Sequence, residues 1–362
     1  MKIGIVGLPN STKTTIFNAL THSQVETAVT SSGKVEVHTA MVDVPDPRVD
    51  ILREMYKPRK TTFARVQYND VAGLKVGSGK DGTLSGQLLN TISQSDALLH
   101  VVRAFEDDRI PHPEGKVDAL RDLAALDFEF LISDLQIVER RLERLAHDLD
   151  RKGTYPERPG DQAEFDLLTR IKEGLEEEKP IRTLNFSALE EKTLRGYQFL
   201  TAKPALIVLN VGDEGSDNPE DFPYNQNNKE EIICLHGSLE MEIAQLSRED
   251  AELFMVEFGI NEPGLKRMIR LNYDLLGLQS FFTVGEDEVR AWTIPQGATV
   301  VEAAGVIHSD LERGFIRAEV VGYQDLIDAG SYAEARKRGT VRLEGRDYHV
   351  KDGDILNIRF NV

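Results

Sequence analysis

Lys13 and Thr14 lie just downstream of the apolar run "MKIGIV", in the stretch "GLPNSTKTTIFNAL". An apolar strand, a glycine at Gly7 and a lysine–threonine pair opening a helix are the parts of a phosphate-binding loop. In such a loop backbone N–H groups converge on phosphate, and the following helix N-terminus adds its positive end. Asn10, Ser11, Thr12, Lys13, Thr14 and Thr15 would line the phosphates. The Lys13 ammonium would reach the β and γ phosphates, a catalytic as well as a binding position, and the Thr14 hydroxyl would ligate magnesium. Thr12 stands where the pattern G-x-x-x-x-G-K-[ST] has its second glycine. A Cβ there crowds the ligand or strains the loop. If the local dihedrals suit a threonine, binding weakens; if they do not, the loop reshapes.

Two further signals follow in the expected order. "YNDVAG" puts Asp70 at a strand end and Gly73 three residues later. In a D-x-x-G turn the aspartate holds magnesium through water, and the glycine N–H meets the γ-phosphate. Asp70 thus joins Thr14 as a metal ligand. "LNVGD" ends an apolar run with Asn210 and, three residues on, Asp213. N-K-x-D loops read guanine through that aspartate; Val211 replaces the lysine, so its stacking and charge are gone. The expected ligands are Mg2+ and a purine nucleotide, ATP or GTP.

These residues need an α/β frame to position them. "KIGIVG", "FARVQYNDVAG", "DALLHVVRAF" and "PALIVLNVGDE" read as strands alternating with helical segments, which predicts a mostly parallel sheet. Between them Phe128, Leu131, Leu135, Val138, Leu142, Leu145 and Leu149 recur at spacings of three and four, the stripe of a long coiled-coil helix. "KGTYPERPG" breaks it, and Phe165, Leu168, Ile171 and Leu175 form a second stripe, predicting an antiparallel helical hairpin inserted in the α/β domain. The last 84 residues read as a separate α+β module with a helix beginning near Thr299.

The 362 residues suffice for two or three domains, and 40% hydrophobic content is ordinary for a globular chain. No run of about 18 apolar residues offers a membrane span. The N-terminal strand is too short for a signal-peptide core, and the single cysteine, Cys234, suits a reducing compartment, so a cytoplasmic protein is expected. A net charge of −18 opposes indiscriminate binding to nucleic acid, and no sequence-specific DNA partner is expected. One local basic stretch, "REMYKPRK", reads as a solvated surface segment or as a docking patch for RNA or an acidic partner.

"GIVGLPN", "IFNAL", "PDPR", "DVAGL", "HVVRAF", "GKVD", "GFIRAE", "VRAWTIP" and the terminal "VKDGD" with "FNV" together resemble the YchF subfamily of Obg-like P-loop NTPases over essentially the whole chain. The resemblance implies a split G domain (1–110 and 197–278), a helical hairpin (111–196) and a C-terminal TGS domain of β-grasp form (279–362). It implies an ATPase that associates with the ribosome. It also implies nucleotide contacts at Gly237 and Ser238, and a catalytic histidine replacing the glutamine of Ras-like enzymes. Leu74 stands at the glutamine position, and His112, in "RIPHPEGKVD", matches the histidine.

Departures from the family cluster on the nucleotide. Besides Thr12, Lys34 falls at the position of the switch threonine, and an ammonium cannot ligate magnesium. Thr30 and Thr39 lie near but out of register. Asp213 stands where the family more often has glutamate. A slowly hydrolysing, nucleotide-binding switch is therefore expected, and the alternative is a nucleotide-insensitive scaffold that keeps the three-domain shape. Retention of Lys13, Thr14 and Asp70 favours the switch.

Overall fold

The computed structural model describes residues 1–21, 37–71, 86–150, 160–213, 215–216, 218–222 and 230–361. In chain order, β1 (Lys2–Val6), α1 (Lys13–Thr21), β2 (Val37–Asp43), α2 (Pro47–Tyr56), β3 (Lys60–Thr62) and β4 (Arg65–Val71) come first. Then follow α3 (Gly86–Ser93), β5 (Ala97–Arg103), α4 (Ala119–Asp150), α5 (Asp161–Glu176), α6 (Ala188–Leu194) and β6 (Ala205–Asn210). β7 (Glu230–Leu235), α7 (Gly237–Gln245), α8 (Arg248–Glu257) and α9 (Gly264–Leu275) lead to β8 (Leu278–Thr283), β9 (Glu288–Pro295) and α10 (Val300–Ile307). β10 (Phe315–Gly322), β11 (Arg342–Glu344) and β12 (Asp354–Phe360) are the remaining strands described.

The chain divides into two compact units, residues 1–40 with 67–265 and residues 41–66 with 266–362. The first holds a sheet of order β2-β4-β1-β5-β6-β7, in which β4, β1, β5, β6 and β7 run parallel. Every residue of β5 and β6 is buried, as expected of central strands covered on both faces. This is the mostly parallel α/β sheet read from the sequence. β1 and β5 deliver the phosphate loop and the loop bearing His112 from adjacent strands.

α4 serves two cores. Leu126 and Phe130 pack with Val6, Val71, Ile92 and Leu98 against the sheet. Further along, Leu131, Val138 and Leu145 pack with Leu167, Leu168, Ile171 and Leu175 of α5. Arg141 pairs with Glu164 and Glu139 with Lys172, so the two helices run antiparallel. Phe128, placed in the stripe by spacing alone, is 51% exposed. The apolar face of α4 shifts where its partner changes from sheet to helix, and Phe130 takes the inward place. The turn "KGTYPERPG" lies almost wholly outside the described residues.

The second unit holds a mixed sheet of order β11-β10-β12-β8-β9-β3. β9 pairs antiparallel with β8 and parallel with β3, matching Lys60 to Glu288 and Thr62 to Arg290. Spacing alone gives no sign that residues 41–66 fold with the C-terminal residues. α2 starts on an Asp46 cap and Pro47, and ends at Lys57 in the left-handed region. Of the basic stretch, Arg53 pairs with Asp50, Arg59 with Asp287 and Lys60 with Glu288, at positions from half-buried to exposed. Thr299 caps α10 reciprocally with Glu302, and Val300, Ala303 and Ala304 pack on Phe281, Ala318 and Leu356. Among the described residues no helix is long and apolar enough to cross a membrane.

Candidate functional site

The apolar β1 ends at Val6, and the chain turns sharply through Gly7 before α1. A Cβ on Gly7 would lie 2.4 Å from the Val101 carbonyl oxygen and 2.6 Å from Ser11 Oγ, so backbone packs there where no side chain fits. Asn10 and Thr12 both take positive φ, 62° and 69°. Lys13 is buried, and its ammonium donates to Gly7 O (3.0 Å), Leu8 O (2.7 Å) and Ser11 Oγ (3.4 Å). Burial lowers the Lys13 pKa to about 8, against the opposing pull of Asp70. The loop thus holds a cation at its centre whose present partners are its own carbonyls, which an anionic phosphate would outcompete.

Thr14 Oγ1 donates to Asp70 Oδ2 at 3.0 Å, joining the start of α1 to the end of β4 across 56 residues. The other carboxylate oxygen, Asp70 Oδ1, is buried and has no hydrogen-bond partner among the described residues. Burial raises the Asp70 pKa, opposed by the Thr14 bond and by Lys13. An orphaned oxygen beside a threonine hydroxyl, both hard donors, fits a divalent cation. Thr15 lies beside them on α1. Gly73 and Leu74 fall outside the described residues, as do Thr30 and Lys34. Thr39 donates to Asn69 Oδ1 (3.0 Å), a neighbour on β4.

Asn210 ties three loops together. Its amide nitrogen donates to Thr12 Oγ1 at 2.7 Å, and its amide oxygen accepts from Gly237 N at 3.0 Å. A Cβ at Gly237 would meet Asn210 Nδ2 at 2.7 Å. The Thr12 hydroxyl in turn donates to Ser11 O. Of the two outcomes open for Thr12, the dihedral is left-handed, and the hydroxyl is engaged in holding it. Asn210 spends both ends of its amide on protein. Val211, expected at the nucleotide, is buried just past the end of β6 with Val102, Leu209 and Cys234. Asp213 and Ser238 are exposed.

His112 is brought near the phosphate loop: Asn10 Nδ2 donates to Pro111 O at 2.9 Å. Its ring, however, is bonded elsewhere. Nδ1 accepts from Glu114 N (3.1 Å), which assigns the proton to Nε2, and Nε2 donates to Asp122 Oδ2 at 2.7 Å. The imidazole is 4% exposed. Sequence reading missed Asp122 and also Arg103. The only signal for Arg103 is a charged residue closing a strand that is otherwise uncharged and fully buried.

Strand, phosphate loop, helix, Thr14–Asp70 pair and Asn210 bridge define a P-loop NTPase of the G-domain class. Residues 2–129 match the MMR_HSR1 family, "50S ribosome-binding GTPase", and residues 278–361 match YchF-GTPase_C, "Protein of unknown function (DUF933)". The chain is 41% identical to "Ribosome-binding ATPase YchF" of Bacillus subtilis (strain 168) over 369 residues, covering 99% of each. It is 40% identical to the protein so named in Escherichia coli O157:H7, covering 100% of this chain and 99% of the relative. The Schizosaccharomyces pombe YchF GTPase shares its fold with a TM-score of 0.87 at 33% identity, covering 99% of this chain and 97% of that one. The chain belongs to the YchF family.

Proposed function

We propose that this protein is a slow, magnesium-dependent nucleotide switch that acts on the ribosome, with Lys13 and the Thr14–Asp70 pair as its binding centre. The observation that carries the reading is Asp70 Oδ1, buried beside Thr14 and without a partner among the described residues. A buried carboxylate oxygen left without a donor is costly unless a ligand supplies one. Magnesium, when bound, supplies charge neutralisation for the phosphates; Thr14 and Asp70 would hold it. Lys13 would turn from Gly7 O and Leu8 O to the β and γ phosphates. ATP is favoured over GTP because the Bacillus subtilis and Escherichia coli relatives are named ATPases. Their names also supply the ribosome as partner. Residues 279–362 read as the TGS module.

His112 is the proposed water-orienting group, because position 74 offers only a leucine. To act, its ring must leave Asp122, and the bond between Asn10 and Pro111 keeps the loop beside the phosphates while it does so. Calorimetry with ATP, GTP and their diphosphates in magnesium, followed by single-turnover hydrolysis, tests the reading. His112→Ala is expected to slow hydrolysis about ten- to a hundredfold, roughly 1.4 to 2.7 kcal/mol of barrier, with affinity little changed. An unaltered rate removes His112 from the mechanism. Absence of any nucleotide binding would leave the scaffold reading in its place.

A further inference from the structure

Arg103, at the C-terminal end of β5, is the largest of the fully buried side chains, 2% exposed. A buried guanidinium ordinarily faces a carboxylate. Here all three hydrogen bonds end on backbone carbonyls: Nε on Phe105 O (2.9 Å), Nη1 on Ile110 O (2.7 Å) and Nη2 on Asp107 O (3.2 Å). The guanidinium carbon also lies 4.9 Å from the centroid of the Phe105 ring. The planar fork thus gathers residues 105–110 around one fixed point at the strand end. Ala104 N donates to Asn210 O (2.8 Å), and Gly212, at φ 72°, leaves room for Phe105, whose Cβ would lie 2.8 Å from an added methyl. The gripped segment therefore rests on the loop that follows β6.

The residue after the last gripped carbonyl is Pro111, whose own carbonyl accepts from Asn10 of the phosphate loop, and the next is His112. We infer that Arg103 is the positioning residue for His112. By holding the carbonyls of residues 105, 107 and 110, it fixes the first half of the loop and leaves the short stretch from Pro111 onward to carry the imidazole. The inference rests on the reading of His112 given above. Three acceptors spread over six residues match a rigid fork of five N–H donors, whereas a lysine ammonium is a compact charge on a flexible stem. Arg103→Lys keeps the charge and loses the grip.

The test compares single-turnover hydrolysis, ADP affinity and thermal unfolding for wild type, Arg103→Lys, Arg103→Ala, His112→Ala and the Arg103→Lys/His112→Ala double variant. Arg103→Lys is expected to slow hydrolysis about tenfold while ADP affinity stays within about twofold, the signature of lost alignment. Sub-denaturing guanidinium should restore part of the rate of Arg103→Ala; if that variant does not fold, Arg103→Lys carries the test. The double variant should be no slower than His112→Ala, because Arg103 acts through His112. A wild-type rate for Arg103→Lys with a slow His112→Ala overturns the role of Arg103 alone. A wild-type rate for His112→Ala overturns the histidine reading and this inference with it. Loss of rate, affinity and melting temperature together in Arg103→Lys, or a double variant much slower than His112→Ala, would show that Arg103 only supports the fold.

Discussion

Thr12 is the residue at which the loop departs most from its pattern, and two substitutions separate its costs from its contributions. At φ 69° a β-branched residue sits in the left-handed region, which costs about 1–2 kcal/mol. Thr12→Gly would relieve that strain, but it adds unfolded-chain entropy worth about 0.5–1 kcal/mol. It also removes the bond from Asn210 Nδ2 at 2.7 Å, a net contribution of about 0.5–1.5 kcal/mol because water can enter the space the side chain leaves and accept in its place. These opposing amounts nearly cancel, so Thr12→Gly should stay within about 1.5 kcal/mol of wild type. Thr12→Val keeps the branching and the strained dihedral but offers Asn210 no acceptor, and should lose about 1–3 kcal/mol. Urea unfolding of the two variants beside wild type measures the difference. Calorimetry with ADP on the same samples shows whether the freed backbone of Thr12→Gly approaches phosphate more closely, with a tenfold gain in affinity corresponding to about 1.4 kcal/mol. Thr12→Val as stable as wild type would refute the account of the hydroxyl as a compensating bond. Unchanged or weaker ADP binding by Thr12→Gly would show that the loop has adapted to its threonine.

Lys13→Met should lower nucleotide affinity at least about a hundredfold, because the phosphates lose their closest compensating charge; equal affinity in variant and wild type would exclude Lys13 from binding. Asp134 of α4 accepts from Leu200 N, Thr201 N and Thr201 Oγ1, yet burial, outweighing these bonds, raises its pKa from 3.8 to about 6. The folded state then binds the extra proton between those values, so stability should fall as pH rises from 3.8 through about 6 and the loss should persist above it. Urea unfolding against pH for wild type and Asp134→Asn checks this. The advantage of wild type should shrink with rising pH across that window, and an advantage that grows would refute the assigned direction.

Whatever depends on near neighbours was legible in the residues. Gly7, Lys13 and Thr14 lie within eight positions of one another, and an apolar run before them fixes strand, turn and helix together. The largely apolar stretches that became β5 and β6 show a sheet covered on both faces, and the helix expected near Thr299 starts at Val300 on a Thr299–Glu302 capping box. Tertiary structure decided the rest. Periodicity put Phe128 in the stripe of α4, but which residues face inward depends on what the helix packs against, and α4 changes partner from sheet to helix along its length. Spacing could not join residues 60–62 to β9, more than two hundred positions away. Nor could it find the acceptor that Thr12 offers Asn210 across 198 positions, or turn the His112 ring onto Asp122. Arg103 reads as an ordinary charge at a strand end until the folded loop brings three carbonyls to it. Helix and strand periods specify faces over a few turns; which faces and loops meet is set by the closure of the whole chain around its cores, which no local pattern encodes.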